Sequence, residues 1–199
     1  ATTNATNMDG DNLSLYFNTS SGVQFNGVSN VIKADLLALN GIVHVVNEVI
    51  GLPTVVTFTT ADPNFSTLLS ALTRDDLTTD FVSILSIDSN TDPAPFTVFA
   101  PINEAFNRLL TELDITSLSD IDEPTLDAVL KYHVVVGANV LDSELTDNLT
   151  ITTLGGDITA NISGGATLTD SSGRISEIIT TNIQANNGVI HAINKVILP

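Results

Sequence analysis

Hydrophobic positions along the chain follow two different periods. In the middle of the chain they recur at helical spacing. Asp62-Pro63 has the form of an N-cap followed by proline at the first helical position, and Phe65, Leu68, Leu69 and Leu72 come after it, so the spacing predicts a helix over 63–73. Thr79 to Leu85 reads as a second, short helix with Phe81, Ile84 and Leu85 inward. Asn90-Thr-Asp-Pro-Ala-Pro95 is a turn-rich connection, because each proline blocks a helix and removes a ladder donor. Phe96-Thr-Val-Phe-Ala-Pro101 reads as a buried strand, and Asn103 to Leu110 as a helix capped by Asn103. Asp122-Glu-Pro124 starts another helix with Leu126, Val129 and Leu130 on one face, ending near Lys131-Tyr-His133, where Val134 to Val136 turns to strand. From Leu149 onward only short β-prone runs remain, punctuated by Gly155-Gly156, Gly164-Gly165, Ser171-Ser-Gly173 and Asn187-Gly188. Helices first and strands last is an α+β layout.

The first fifty residues carry only strand signals. Residues 1–11 are polar and read as a loose lead-in; Leu13 to Phe17 and Val28 to Ile32 read as strands, with a turn at Ser20-Ser-Gly22. This stretch is also a copy of the chain's end. Asn40-Gly-Ile-Val-His-Val-Val-Asn-Glu-Val-Ile-Gly-Leu-Pro53 recurs as Asn187-Gly-Val-Ile-His-Ala-Ile-Asn-Lys-Val-Ile-Leu-Pro199. The likeness extends backwards: Lys33 to Asn40 aligns with Thr180 to Asn187, Leu13 to Phe17 with Ile158 to Ile162, and Gly10-Asp11 with Gly156-Asp157. Each copy is expected to be a turn, with Asn-Gly tolerating positive φ, feeding a buried β-branched strand. His44 and His191, alone among aliphatic neighbours, read as hydrogen-bonded core residues rather than ligands.

Composition narrows the function. The chain is 43% hydrophobic, ample for a core, and carries 23 acidic residues against 6 Lys and Arg, for a formal net charge of -17. Such a charge repels phosphate backbones and anionic bilayers, which disfavours nucleic-acid and peripheral membrane binding. No cysteine is present, so disulfides and thiolate metal sites are excluded. There is no apolar run of transmembrane length and no signal-peptide pattern at the start, which is an Asn/Thr-rich stretch without an initiator Met, compatible with a processed or excised product.

Candidate chemistry is sparse. Walker-type phosphate loops, Gly-x-Ser-x-Gly and His-x-x-x-His pairs are absent, and two of the three histidines are repeat-equivalent, which argues against a three-His zinc site. His133 beside Tyr132 is the remaining acid–base candidate, and its place at a helix end favours a structural hydrogen bond. Asp9-Gly-Asp11-Asn12 and Asp88-Ser-Asn-Thr-Asp92 offer oxygen ligands without the bidentate Glu of an EF-hand loop, so both read as solvated turns. Asn-x-Ser/Thr triplets start at Asn4, Asn12, Asn18, Asn64, Asn148 and Asn161, which matters only for a eukaryotic source. The expectation is a protein with no catalytic residues, cofactor or metal.

Three motifs in order carry a resemblance. Phe96-Thr-Val-Phe-Ala-Pro-Ile-Asn-Glu-Ala-Phe106, Tyr132-His133 and the closing Asn187 to Pro199 segment resemble the fasciclin (fasciclin I-like) domain family. The resemblance implies a wedge with a seven-stranded β core and a group of helices in the N-terminal half of the domain. It spans residues 54–199 as a complete domain and residues 1–53 as the C-terminal half of a preceding one, in tandem. It further implies an extracytoplasmic adhesion or protein-interaction module, secreted, periplasmic or on the cell surface, whose partner is a protein or a surface polymer. In some animal members the Tyr-His motif and an acidic-hydrophobic pair before the Asn-Gly turn are linked to integrin binding. The matching positions are Tyr132 and His133, Asp35 and Leu36 in the first copy, and Asn182 and Ile183 in the second, where the carboxylate is missing. The alternative is a small-ligand or glycan-binding module with a pocket between helices and sheet.

The half domain raises a physical question of its own. Its apolar strands need a cover that residues 1–53 do not contain. Three arrangements meet that need: a cut fragment whose missing half stays bound as another chain, packing on the neighbouring domain, or exchange with another copy. The first is the expectation.

Overall fold

The computed structural model describes residues 1–199. The first fifty residues form β1 (Thr2–Thr6), β2 (Asn12–Ser14), β3 (Phe17–Asn18), β4 (Gln24–Phe25), β5 (Ser29–Ala38) and β6 (Gly41–Val46). β1 pairs with β2, and β3-β4-β5-β6 make an antiparallel sheet. Then come α1 (Val55–Ala61), α2 (Ser66–Leu72), α3 (Phe81–Leu85), β7 (Phe96–Pro101), α4 (Asn103–Glu112), α5 (Glu123–Tyr132) and β8 (Val134–Val136). The chain closes with β9 (Leu149–Thr153), β10 (Gly156–Asn161), β11 (Thr167–Thr169), β12 (Ile175–Ala185) and β13 (Gly188–Ile193). β8-β7-β13-β12-β11-β10-β9 form the seven-stranded sheet, antiparallel throughout except for the parallel pair of β13 and β7. Its two ends approach each other, since the Leu154 N–H donates to the Val134 carbonyl at 2.8 Å.

β7 and β13 are buried at every position, because the sheet has a core on each side. Phe96, Val98, Ala100, Ile190 and Ala192 face the helices, meeting Val55, Phe58, Leu68, Leu72, Phe106 and Leu126. Phe99 and Ile193 face the other way, into a smaller core with Tyr132, Val135, Ile151, Ile158 and Leu168. Period-two alternation thus divides one strand between two clusters.

Several expected elements differ in detail. The segment 1–11 contains a strand, since Thr2 and Thr6 pair with Ser14 and Asn12. The helix expected over 63–73 is a 3₁₀ turn at Pro63–Phe65 followed by α2, and the Asp62 side chain caps the turn by accepting from Asn64 N. α1 lies in Val-Val-Thr-Phe-Thr-Thr-Ala, a β-prone sequence; burial of Val55 and Phe58 and a Thr54/Thr57 capping box override that propensity. Asn103 does not cap its own helix, where the N-cap is Ile102. Its amide instead accepts from Thr67 N at 2.9 Å and donates to the Pro63 carbonyl at 2.9 Å, fastening α2 to α4.

The repeat is structural down to its irregularities. Leu36 faces Val43 and Val31 faces Val46 in the first hairpin, as Ile183 faces Ile190 and Ile178 faces Ile193 in the second, with register shifts at matching places. Further upstream the alignment is corrected. β3 faces β4 through Phe17 and Phe25, and β4 faces β5 through Phe25 and Ser29, just as Ala160 faces Leu168 and Leu168 faces Ser176. Phe17 therefore occupies the place of Ala160 and not that of Ile162.

The N-terminal strands pack on the domain that follows them. Gln184 N donates to Ser14 Oγ at 3.0 Å, Asn139 Nδ2 to Asp11 Oδ2 at 3.3 Å, and Leu13 is buried. Gly27, at φ +73°, approaches Ala61 so closely that an added Cβ would lie 3.0 Å from the Ala61 Cβ.

Candidate functional site

The register shifts in β5 and β12 place two of the candidate positions in one unusual conformation. Asp35 has φ 59° and Asn182 has φ 55°, the left-handed region that Asn and Asp tolerate because their short polar side chains bond locally. Both positions are thus bulge corners, and the choice of Asp or Asn there has a backbone reason independent of any ligand. Leu36 and Ile183, the next residues, are half-buried on the same strands, β5 and β12.

The two corners differ in what they meet. Asn182 Nδ2 donates to Asp142 Oδ1 at 2.6 Å, and Asp142 N donates back to Asn182 Oδ1 at 3.0 Å. Thr181 Oγ1 donates to Asp142 Oδ2 at 3.0 Å. The Asn182 amide holds the Asp142 carboxyl below the usual carboxylate range, helped by Thr181 against the opposing effect of burial. Asp35 has no such carboxylate in front of it. Its N–H donates to His44 Nδ1 at 3.3 Å, and its carboxylate lies 4.0 Å from the same nitrogen. An acid at 182 would face Asp142, whereas the acid at 35 faces an imidazole. Asp142 is the residue at this corner that sequence reasoning missed, because it lies forty positions away from Asn182 along the chain.

Tyr132 and His133 lie inside the protein, 2% and 3% exposed. The Tyr132 hydroxyl donates to the Asp157 carbonyl at 2.6 Å and accepts from Ser171 N at 3.1 Å. Gly155 lies against the Tyr132 backbone, where a Cβ would come within 2.7 Å of the nitrogen. His133 Nδ1 donates to the Val129 carbonyl at 2.7 Å, and Nε2 accepts from Ile197 N at 3.2 Å, which sets the neutral tautomer. Burial pushes its pKa down to about 4, against the pull of the Val129 carbonyl. With both ring nitrogens committed to backbone, His133 ties the end of α5 to the closing segment and has no free nitrogen to move a proton.

His191 is buried and stacks on Phe99 at a centroid distance of 5.7 Å. Its Nε2 bonds the Val140 carbonyl at 2.9 Å, while Nδ1 has no partner. Burial lowers its pKa, opposed by the Val140 carbonyl and the Asp142 charge. His44 is open where His191 is closed, with 44% of its side chain exposed, so the core-residue reading fits the second copy and not the first.

The Asn-Gly turn works differently from the expectation. At Gly188 φ is +153°, but Asn187 is not in the left-handed region. Asn187 is instead a buried three-way connector: its Oδ1 accepts from Val55 N at 3.0 Å, and its Nδ2 donates to the carbonyls of Leu85 at 2.8 Å and Ile87 at 2.9 Å. Gly188 is needed because a Cβ there would collide with the Phe96 carbonyl and lie 2.8 Å from the Phe96 nitrogen.

Between helices and sheet the void is small and apolar. It measures about 10 Å³, lined by Val55, Leu68, Leu72, Val98, Phe99 and Leu130 among others. That is room for one water at most, far below the several hundred Å³ of a ligand pocket. No helix is long and apolar enough to cross a membrane.

Comparison with known proteins places this geometry. The Fasciclin domain family model matches residues 63–199. A fasciclin-like arabinogalactan protein of the fungus Arthroderma benhamiae is 29% identical over 87% of this chain, which spans 37% of that protein. An uncharacterized protein, sll1735, of the cyanobacterium Synechocystis is 32% identical over 74% of this chain and is itself covered to 98%. Human periostin is 28% identical over 95% of this chain, which spans only 21% of periostin. Among solved structures, a FAS1 domain pair from the insect cell adhesion molecule Fasciclin I superposes with a TM-score of 0.59 at 18% identity, covering 94% of this chain and 67% of that one.

Proposed function

The chain belongs to the fasciclin domain family, and from that premise we propose that it is an extracytoplasmic adhesion or protein-contact module without chemistry of its own. The family match is the observation that carries this reading, and the insect relative in the superposition is a cell adhesion molecule. Three features of the molecule support it. The polar corners at Asp35, which is exposed, and Asn182, which is half-buried, sit on bulges that turn side chains away from the regular ladder. His133 has no free nitrogen for acid–base work. The interior void is too small for a ligand or a sugar, which weighs against the binding-pocket alternative. The partner is a protein or a surface polymer that tolerates a net charge of -17, which disfavours polyanions such as nucleic acid.

The test is binding by the intact chain, immobilised and presented separately with extracellular matrix proteins and with cell-wall polysaccharide. Saturable retention of one class is expected, weakened by replacing Asp35 and Leu36 together or by Asn182→Gly, with Tyr132 and His133 contributing through stability alone. Retention of neither class, or retention untouched by all of these changes, overturns the assignment of the contact surface to the bulge corners.

A further inference from the structure

The β5–β6 hairpin repeats the β12–β13 hairpin in sequence and register, yet it stands open where the other is closed. Val189 and Ile190 are fully buried, whereas their counterparts Ile42 and Val43 are 57% and 51% exposed, and Leu37 beside them is 85% exposed. The difference is one missing neighbour. β13 pairs in parallel with β7, Gly188 opposite Phe96 through Ile193 opposite Pro101, while β6 pairs only with β5 and its other edge is free.

Two residues of the hairpin have no use in this chain and a definite one in its copy, and a third, His44, meets only Asp35 of its own hairpin. Gly41 is not in the positive-φ region, and a Cβ there would meet nothing within 4 Å, whereas its counterpart Gly188 is required by the backbone of Phe96. Asn40 is exposed, whereas Asn187 binds one amide and two carbonyls of the helical half. His44 is open, whereas His191 reaches the carbonyl of Val140, just beyond β8. A glycine without local cause, an idle connector and an open histidine coincide on the edge where the closed hairpin receives a strand.

We propose that residues 1–53 are the C-terminal half of a fasciclin domain and that the β6 edge is the docking site for the N-terminal half of such a domain. Its strand, of the Phe96–Pro101 type, adds in parallel with its first residue opposite Gly41 and its proline opposite Val46. Its helices cover Val43, as they cover Ile190 in the closed copy, and the segment after its β8-type strand covers Leu37 and Ile42 on the other face, where in the closed copy Gln184 meets Asn139. Asn40 binds the start of its first helix and the end of its third, and the backbone amides and carbonyls of β6 complete the ladder. The docked half also packs on Leu36, as the helical core packs on Ile183 in the closed copy, and leaves Asp35 at the surface corner. Two open hairpins from two copies of the chain do not reproduce it, because neither supplies a parallel strand or a connector's partners.

The experiment extends the 199-residue chain at its N-terminus with a second copy of residues 54–147 and follows amide hydrogen exchange. Exchange at Gly41–Val46 is expected to slow by about 100-fold or more in the extended protein, while Val189–Ile193 stay protected as before. Gly41→Val is expected to abolish the slowing in the extended protein and to leave the unfolding midpoint of the 199-residue chain unchanged. Exchange at Gly41–Val46 that stays fast in the extended protein overturns the proposal. So does exchange that is already slow in the 199-residue chain and quickens on dilution, since a second copy is then the occupant. An unfolding midpoint lowered by Gly41→Val in the 199-residue chain overturns it as well, because the glycine then has a local cause.

Discussion

Asn182 and Asp142 hold each other by two hydrogen bonds, the amide donating to the carboxylate at 2.6 Å and the Asp142 N–H returning one at 3.0 Å. The pair explains why the two copies differ at this corner. Asn182→Asp puts a second carboxylate against Asp142 in place of an amide donor. A loss of about 1–3 kcal/mol at pH 7 is expected, shrinking as the pH falls through 5 to 4 and one carboxyl of the pair keeps its proton. Urea denaturation of both proteins across that range checks it. Asp35→Asn, on the copy that faces His44, is expected to stay within about 0.5 kcal/mol.

Asn187 and Asn40 are equivalent in sequence and unequal in load. Asn187→Ala strands Val55 N and the carbonyls of Leu85 and Ile87 in the interior and is expected to cost about 3 kcal/mol or more. Asn40→Ala is expected to cost less than about 0.5 kcal/mol in this chain. Equal losses in chemical denaturation would show that the turn itself, and not its connections, is what the asparagine serves.

The buried imidazole of His133 predicts a pH dependence with a definite sign. Its pKa is about 4 in the folded protein against 6.5 for the free side chain, so between these values the unfolded state binds the extra proton. Stability from this group is complete above pH 6.5 and is lost as the pH falls towards 4, by roughly 3 kcal/mol at the limit. Burial of His191 acts in the same direction. Unfolding free energies measured from pH 7 to pH 4.5 are expected to fall steadily in the wild-type chain, and the slope is expected to flatten in His133→Gln, which starts from lower stability at pH 7.

Tyr132 contributes through its hydroxyl as well as its ring. Tyr132→Phe keeps the packing with Phe99 and Ile158 but leaves the Asp157 carbonyl and the Ser171 N–H without their partner. A destabilisation of about 1–3 kcal/mol is expected, seen as a lower thermal midpoint, with binding of any surface partner unchanged once the comparison is made below that midpoint.

The α+β order of elements, the buried Phe96–Pro101 strand, the helix opened by Asp122 and Pro124 and the repeated Asn-Gly segment are legible along the chain, because each rests on local periodicity or capping chemistry. α1 is illegible for the opposite reason. Its residues favour strand, and the burial of Val55 and Phe58 against distant partners, added to the Thr54/Thr57 capping box, makes it a helix. The candidate residues divide in the same way. Their types and spacing identify a family, but Tyr132-His133 and the Asp35 and Asn182 positions look alike as motif residues until packing puts the first pair in the core and the second at bulge corners. The copies make the division plainest: nearly identical segments form hairpins of identical register, since register follows from local pairing and bulge residues. Whether such a hairpin is a sealed centre or an open edge depends on whether a strand from elsewhere in the chain lies beside it, and that is a fact of tertiary structure alone.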